Sequence, residues 1–281
     1  IFQSQNSNYL TPRNFVNLMV QMAGMATIAI GVVFVLLLGE IDLSIGYVSA
    51  VTAVTMTLLL REPDALAWYF AVPLGLIAAC LIGIGQGLII TRFALPSFVV
   101  TLAGFLVWNG VVLILIGGAG TVIIQDDTVV AIANRFLTPV QGWLVWAILS
   151  IAFAFTRISR WRSRLKRGVS TTPGSMVIAQ VVFVAIIVGI VVYICNLDRG
   201  VPLVGVILMI LLFIFTFLAS RTKFGRYVYA IGGNIEAARR AGINTQRIRV
   251  LVFMISSLMA GMGGIVLASR LRSVDTAAGG G

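Results

Sequence analysis

The chain has 281 residues, of which 59% are hydrophobic and 10% charged, and its mean hydropathy is +1.06. Soluble domains carry about 25% charged residues, so this composition indicates an integral membrane protein and excludes a large domain that folds in water. The net charge of +11 fits Lys- and Arg-rich cytoplasmic loops, and no nucleic-acid partner is predicted. Because the chain lacks histidine and both cysteines lie in apolar runs, we expect neither a metal site nor a His-based catalytic triad.

Apolar runs near the roughly 20 residues that cross a bilayer recur along the chain and predict about eight transmembrane helices. Helices are expected because they satisfy their own backbone hydrogen bonds in hydrocarbon, and no run alternates as barrel strands do. We therefore predict an all-α polytopic membrane protein with one transmembrane domain over residues 1–281. The runs cover roughly residues 14–38, 44–60, 68–91, 97–116, 140–156, 176–195, 202–219 and 250–269.

The stretch "LLLGEIDLSIGYVSA" interrupts the apolar pattern between the first two runs. Glu40 and Asp42 would each cost about 2.5 to 3.5 kcal/mol at the middle of a spanning helix, and Gly39 and Gly46 bracket them. We therefore predict a broken helix around residues 39–46. Two interpretations stay open: a cytoplasmic turn in which Asp42 or Ser44 caps the next helix, or a turn that dips into the membrane, where Asp42 caps a half-helix facing the pathway.

Loops rich in Lys and Arg predict the orientation of the chain. Most of the basic residues fall on one side of the membrane if the helix break is placed on the same side as residues 92, 157–167 and 221–249. This side is expected to be cytoplasmic. The stretch "RISRWRSRLKRG" at residues 157–168 is then expected to contact anionic lipid headgroups.

On the opposite side, "QDDTVVAIANRFLTP" predicts a short helix that lies on the membrane surface. Asp127 is a suitable N-cap for this helix. Its apolar face is expected to contain Val129, Ile132, Ala133 and Phe136.

Polar side chains inside the apolar runs are candidates for lining a transport pathway, although each could equally hydrogen-bond to a neighbouring helix. The main candidates are Gln21, Thr52, Gln86, Thr101 and Asn109. Further candidates are Thr27, Ser44, Ser49, Thr55, Ser256 and Ser257.

The loop at residues 221–249 contains the segment "GGNIEAARRAG", which predicts a short, self-contained helix. Asn234 is a suitable N-cap, Glu236 lies in the first turn, and Gly242 can end the helix in the left-handed conformation. The small side chains of Ala237, Ala238 and Ala241 are expected to share one face, which would let the helix lie close against another protein. The basic side chains of Arg239 and Arg240 could reach acidic groups around that face. A solvated cytoplasmic loop that happens to be helical is the alternative interpretation.

The order of Glu236, Ala237, Ala238 and Gly242 resembles the EAA loop of ABC importer permeases. The stretch "TKFGRYVYAIGGNIEAARRAGI", together with "GEIDLSIG" and "LPSFVVTLAG", resembles permease subunits of bacterial monosaccharide importers of the ribose, xylose and galactoside branch. Glu40, "DRGVPL" and "LASRLRSV" are most similar to the D-xylose members of that branch.

This resemblance implies a permease that pairs into a homodimer, receives sugar from a periplasmic sugar-binding protein and is driven by a cytoplasmic ABC ATPase. Residues 234–242 would dock on the ATPase within a cytoplasmic coupling loop at residues 221–249. ATP and Mg would be held by the partner, because the sequence contains no Gly-Lys dipeptide and hence no P-loop, so the chain is not expected to be an enzyme or to bind a cofactor. The expected location is the bacterial inner (plasma) membrane.

The resemblance also implies that this chain is a fragment that lacks one N-terminal helix and further C-terminal helices. An ion-coupled secondary transporter of a small polar solute is the alternative function. Such a transporter commonly places coupling acids within its spans, whereas the acids other than Glu40 and Asp42 fall in predicted loops.

Overall fold

The computed structural model describes residues 10–168 and 173–279, and most of these residues are helical. The helices are α1 (Pro12–Leu37), α2 (Ile45–Leu59), α3 (Trp68–Arg92), α4 (Ser97–Ile116), α5 (Asp127–Asn134), α6 (Pro139–Lys166), α7 (Gly174–Asn196), α8 (Leu203–Arg221), α9 (Lys223–Gly233), α10 (Ile235–Arg240) and α11 (Thr245–Leu271). Two short strands, β1 (Thr121–Ile123) and β2 (Ser273–Asp275), pair antiparallel.

The prediction of an all-α polytopic membrane protein is confirmed. Every predicted apolar run is a helix, and the described residues contain 7 helices long and apolar enough to cross a membrane. The remaining run forms α2, which has only 15 residues. Helix α6 continues to Lys166, well past the predicted end at residue 156, because its Arg- and Lys-rich end retains good helix formers after the apolar pattern stops.

The chain contacts group into two compact units. The first unit comprises the described parts of Ile1–Met19 and Arg135–Leu203 and contains the hairpin of α6 and α7. In this hairpin Trp146 Nε1 donates a hydrogen bond to the carbonyl oxygen of Ala185 over 2.8 Å. A capping box formed by Thr138 and Gln141 fixes the start of α6.

The second unit, Val20–Asn134 and Val204–Gly281, is built around α11. The apolar window of α11 is 61% buried, against 44% or less for each other helix of spanning length. Glycines allow this burial, because small residues let helix backbones approach closely. A Cβ atom at Gly264 would collide with the carbonyl oxygen of Ser49 in α2, and one at Gly263 would collide with Ile28 in α1.

The short helix α5 forms where it was predicted, but with a different N-terminal cap. Its N-terminal cap is Asp126, whose Oδ1 accepts a hydrogen bond from the backbone N–H of Val129 over 2.9 Å, whereas Asp127 is the first helical residue. Of its predicted apolar face, Val129 and Ala133 are buried in the second unit, whereas Phe136 lies past the end of the helix. A position on the membrane surface stays a prediction. Ala133 N–H donates to Ser269 Oγ of α11 over 3.0 Å, which holds the helix against the protein.

Two glycines of α3 provide a matched test of the packing around α11. A Cβ atom at Gly83 would lie 2.5 Å from the carbonyl oxygen of Phe253, whereas one at Gly85 would meet nothing within 4 Å. We expect Gly83→Ala to lower the free energy of unfolding in mild detergent by about 1 to 3 kcal/mol through overpacking. Gly85→Ala should be neutral or stabilise by up to about 1 kcal/mol through helix propensity. Equal effects of the two variants would contradict the assigned packing of α3 against α11.

Candidate functional site

The chain leaves helical geometry between α1 and α2, as predicted, and Asp42 organises the turn. Gly39 has a φ of 76°, a left-handed conformation that glycine adopts without strain. Asp42 Oδ1 accepts hydrogen bonds from the backbone N–H of Ser44 over 3.0 Å and from Ser44 Oγ over 2.7 Å. Ser44 occupies the N-cap position of α2, but its side chain makes no capping bond. Asp42 therefore holds the residue directly before α2, and neither of the two predicted residues makes a side-chain capping bond to the first turn of α2.

Side chains of two further helices complete a buried polar cluster around this turn. Ser256 Oγ of α11 donates to Asp42 Oδ2 over 3.1 Å, and Gln86 Nε2 of α3 donates to Ser44 Oγ over 2.9 Å. Asp42 is 7% exposed and Ser44 is fully buried. The cluster therefore ties the start of α2 to α3 and α11.

Helix α4 holds the backbone of the same segment. The N–H of Ile41 donates to Ser97 Oγ over 3.3 Å, and the N–H of Leu43 donates to Thr101 Oγ1 over 3.1 Å. The side chain of Asp42 thus bonds to α11 and that of Ser44 to α3. The N–H groups of residues 41 and 43 bond to α4. We call residues 40–44 the brace, because they connect these three helices.

The brace begins with an ion pair between Glu40 and Arg249, an α11 residue 209 positions away in sequence. The two side chains are only 12% and 19% exposed. Among the described residues, Glu40 Oε2 is buried without a hydrogen-bond partner. Ser256 follows Arg249 by seven residues, or about 10 Å along the helix axis. The brace therefore enters the helix bundle from the Arg249 end of α11, and its depth in a bilayer stays a prediction.

The segment predicted to dock on a partner has the predicted caps. Asn234 Oδ1 accepts from the N–H of Ala237 over 2.9 Å, and Gly242 ends the helix with a φ of 79°. Glu236 and Arg239 form an exposed ion pair with an N–O distance of 2.9 Å. Arg240 is also exposed.

The predicted small-residue face of α10 is wrong in one position. Ala237 and Ala241 are exposed, but Ala238 is 4% exposed and packs in a hydrophobic cluster of the second unit. A six-residue helix anchored on the protein must turn one side inward, so Ala238 anchors α10. The surface that α10 leaves open consists of Glu236, Ala237, Arg239 and Arg240.

A second helix in this loop, α9, was not predicted. Its signal was present in the sequence: Thr222 provides an N-cap, and Phe224, Val228 and Ile231 recur with helical spacing. Phe224 stacks on Phe34 of α1 with ring centroids 6.3 Å apart. A Cβ atom at Gly232 would collide with the carbonyl oxygen of Leu37. Helix α9 therefore packs on the last turns of α1, directly before the brace.

The predicted pathway residues have different environments. Gln86 and Thr101 belong to the brace contacts described above, and the fully buried Thr52 donates from Oγ1 to the carbonyl oxygen of Val48 over 2.9 Å. Gln21 is exposed on α1 and Asn109 is half-buried on α4. Three of the five candidates therefore hydrogen-bond within the protein, and whether any of the five contacts sugar stays a prediction.

Comparison with known proteins places this arrangement in a family. A family model described as "Branched-chain amino acid transport system / permease component" matches residues 14–280. The chain belongs to this permease family. It is 36% identical over 277 residues to the xylose transport system permease protein XylH of Escherichia coli strain K12, covering 96% of this chain and 68% of that protein.

Other relatives are similar over comparable lengths. Identity is 33% to XylH of Haemophilus influenzae, covering 96% of this chain and 72% of that protein. Identity is 27% to the ribose import permease protein RbsC of Bacillus subtilis, covering 98% of this chain and 66% of that protein. No solved structure matches the chain significantly. The family and the apolar helices identify a multi-pass transport subunit of the bacterial inner (plasma) membrane, of a class that associates with an ATPase and a periplasmic binding protein.

Substitutions of Asp42 test whether folding and transport depend on its charge or on its hydrogen bonds. In Asp42→Asn, the amide oxygen can still accept from Ser44, and Ser256 Oγ can reverse to accept from the amide nitrogen. We expect this variant to keep its stability and most of its transport. Asp42→Ala leaves the buried N–H of Ser44 unpaired and should lower the free energy of unfolding by about 1 to 3 kcal/mol.

Thermal unfolding and sugar uptake of the full-length permease measure both effects, and Asp64→Ala in an exposed loop is the control. A well-folded Asp42→Asn protein without transport would contradict the structural role and indicate a functional charge.

Proposed function

We propose that the chain is the transmembrane permease subunit of an ATP-driven importer that moves a monosaccharide of the xylose type from periplasm to cytoplasm. The 36% identity to a protein named for xylose transport, along 96% of this chain, is the observation that carries the proposal. The capped helix α10, which is anchored by Ala238 and exposes Glu236, Arg239 and Arg240, supports it, since an importer without its own ATP site needs a contact through which an ATPase acts.

The alternative of an ion-coupled secondary transporter is less well supported. Within the described residues, none of the helices that correspond to the predicted spans contains Asp or Glu. Glu40 is paired with Arg249, and Asp42 accepts hydrogen bonds from neighbouring hydroxyl and backbone groups. Ion-coupled transporters commonly use ionisable groups within their spans, and here both acids have structural partners.

Transport of a neutral sugar requires no covalent chemistry. The permease must open alternately to each side, and ATP binding and hydrolysis on the partner supply the differential free energy between the two states. In this proposal ATP and Mg are held by the ATPase, and this chain carries no cofactor or catalytic residue. A second copy of the permease completes the transmembrane part as a homodimer.

The co-purification partners and substrate of the full-length permease test this function. We expect an ABC ATPase and a periplasmic sugar-binding protein to co-purify, and we expect the loaded binding protein to stimulate ATP turnover with D-xylose more than with ribose or L-arabinose. Permease copies with two different tags should co-purify if the homodimer forms. Ion-gradient-driven sugar uptake in vesicles without ATP would support the secondary transporter instead.

The open surface of α10 can be tested by charge reversal. Glu236→Lys breaks the exposed pair with Arg239 and reverses charge in the first helical turn, so we expect loss of ATPase co-purification with unchanged thermal stability. Gly242→Pro should have the same effect on co-purification, because proline cannot adopt the φ of 79° found there. Asp64→Lys, an exposed charge reversal in another loop, is the matched control. Normal co-purification of both α10 variants would contradict the docking role.

Membrane lipids are the remaining proposed partner, at the basic end of α6. This helix has 28 residues and is about 42 Å long, which exceeds the roughly 30 Å hydrocarbon core. Arg157, Arg160 and Arg164 are spaced to share one face, and the last two are exposed. Arginines just outside the hydrocarbon attract anionic headgroups by about 1 kcal/mol each.

The lipid contact predicts a measurable difference between two double variants. Arg160→Gln/Arg164→Gln should weaken retention of phosphatidylglycerol, measured by native mass spectrometry of the full-length permease, by about 2 kcal/mol. Arg13→Gln/Arg61→Gln, which removes two exposed arginines on the predicted opposite side, is the control. Equal lipid retention in the two variants would contradict the proposal.

A further inference from the structure

The Glu40–Arg249 ion pair lies between two parts of the molecule with different roles. Arg249 follows the start of α11 at Thr245 by four residues, and α11 itself follows α10 after the Gly242 turn. Asn244 Oδ1 caps this start by accepting from the N–H of Arg247 over 2.9 Å. A displacement of α10 is therefore carried directly to Arg249 through a capped helix end. On the other side of the ion pair, Glu40 is the first residue of the brace.

The single contact between Arg249 and Glu40 is not the geometry that makes an Arg–carboxylate pair most stable. Arg249 contacts Glu40 through Nε and Oε1 alone, and Oε2 has no hydrogen-bond partner among residues 10–168 and 173–279. The strongest Arg–carboxylate pairs are bidentate, and a partly buried pair often adds little stability over apolar side chains of similar volume. The unused oxygen gives the guanidinium a second acceptor, so the contact can change its geometry without separating the charges.

The brace bonds to α11 and α4 over similar lengths. Ser256 Oγ of α11 donates to Asp42 Oδ2 over 3.1 Å, and the N–H groups of Ile41 and Leu43 donate to α4 over 3.3 and 3.1 Å. Glu40 and Asp42 both contact α11, so a displacement of α11 acts on the brace at two points. The bonds of the brace to α4 are among those that such a displacement would change.

We infer that the Glu40–Arg249 ion pair transmits the position of the ATPase-facing segment α10 to the brace. Glu40 and Arg249 are then positioning residues that act on the helix break and contact neither sugar nor ATP. When α10 and the start of α11 move, Arg249 moves Glu40, and the brace shifts against α4. This inference rests on the proposed function, because it assigns to one ion pair the transmission step of an ATP-driven importer.

The test separates docking from transmission in the full-length permease assembled with its ATPase and sugar-loaded binding protein. Glu40→Gln and Arg249→Gln should keep ATPase co-purification and basal ATP turnover, but lose between about 5-fold and 150-fold of the stimulation by loaded binding protein, the range of typical allosteric couplings. Arg249→Lys keeps the charge and should retain at least about half of the stimulation, since a point charge still pairs with Glu40. The swap Glu40→Arg/Arg249→Glu should recover stimulation over either single variant.

Asp198→Asn, which removes the ion pair between the half-buried Asp198 and the exposed Arg199, is the matched control and should leave stimulation unchanged. Full stimulation in both single variants overturns the inference. Loss of ATPase co-purification in them also overturns it, because the pair would then support only the docking surface. If the swap does not fold, the difference between Arg249→Gln and Arg249→Lys decides, and equal stimulation in these two variants overturns the inference. If the unmodified protein shows no stimulation by loaded binding protein, the proposed function itself has failed.

Discussion

A chain that leaves helical geometry inside a packed helix bundle has buried backbone N–H groups that need a hydrogen-bond partner. The brace meets this constraint with side chains from its surroundings. Ser97 and Thr101 accept from the N–H groups of residues 41 and 43, and Asp42 accepts from that of residue 44. Asp42 and the hydroxyls of Ser97 and Thr101 are therefore explained first by backbone satisfaction, and α4 becomes fixed relative to the start of α2.

Helix α11 supplies many of the contacts that hold the second unit together. It packs against α1 and α2 through glycines, supplies Ser256 to Asp42 and Arg249 to Glu40, and supplies Ser269 to α5. Glycines bring the backbone of α11 close to its neighbours, and its large side chains Phe253 and Met259 are fully buried. A rotation or translation of this helix is therefore transmitted to its neighbours, because close-packed interiors transmit strain. Its N-terminal end follows α10 along the chain, so α11 connects the exposed loop to the helix break through Arg249.

Much of the fold could be predicted from the sequence, because hydrocarbon admits few spanning structures and the apolar runs mark them. The caps at Asn234 and Gly242 and the break at Asp42 were also predictable, because capping depends on residues close in sequence. The burial of Ala238 was not, since it depends on a cluster assembled from distant segments. The Glu40–Arg249 contact joins residues 209 positions apart, and no local pattern indicates it. Caps and helix breaks could therefore be predicted from neighbouring residues, whereas contacts between residues distant in sequence could not.

The use of polar groups by the brace also bears on how an importer of this kind selects its sugar. Thr52, Gln86 and Thr101 hydrogen-bond within the protein, and a side chain already paired gains little by exchanging its partner for a sugar hydroxyl. High selectivity for a polyhydroxylated ligand requires several buried groups that would stay unpaired with the wrong ligand. If Thr52, Gln86 and Thr101 line the pathway of the proposed importer, they would supply little of that discrimination. We would then expect the periplasmic binding protein to make most of the choice of sugar, and weak contacts in the permease to let the released sugar pass.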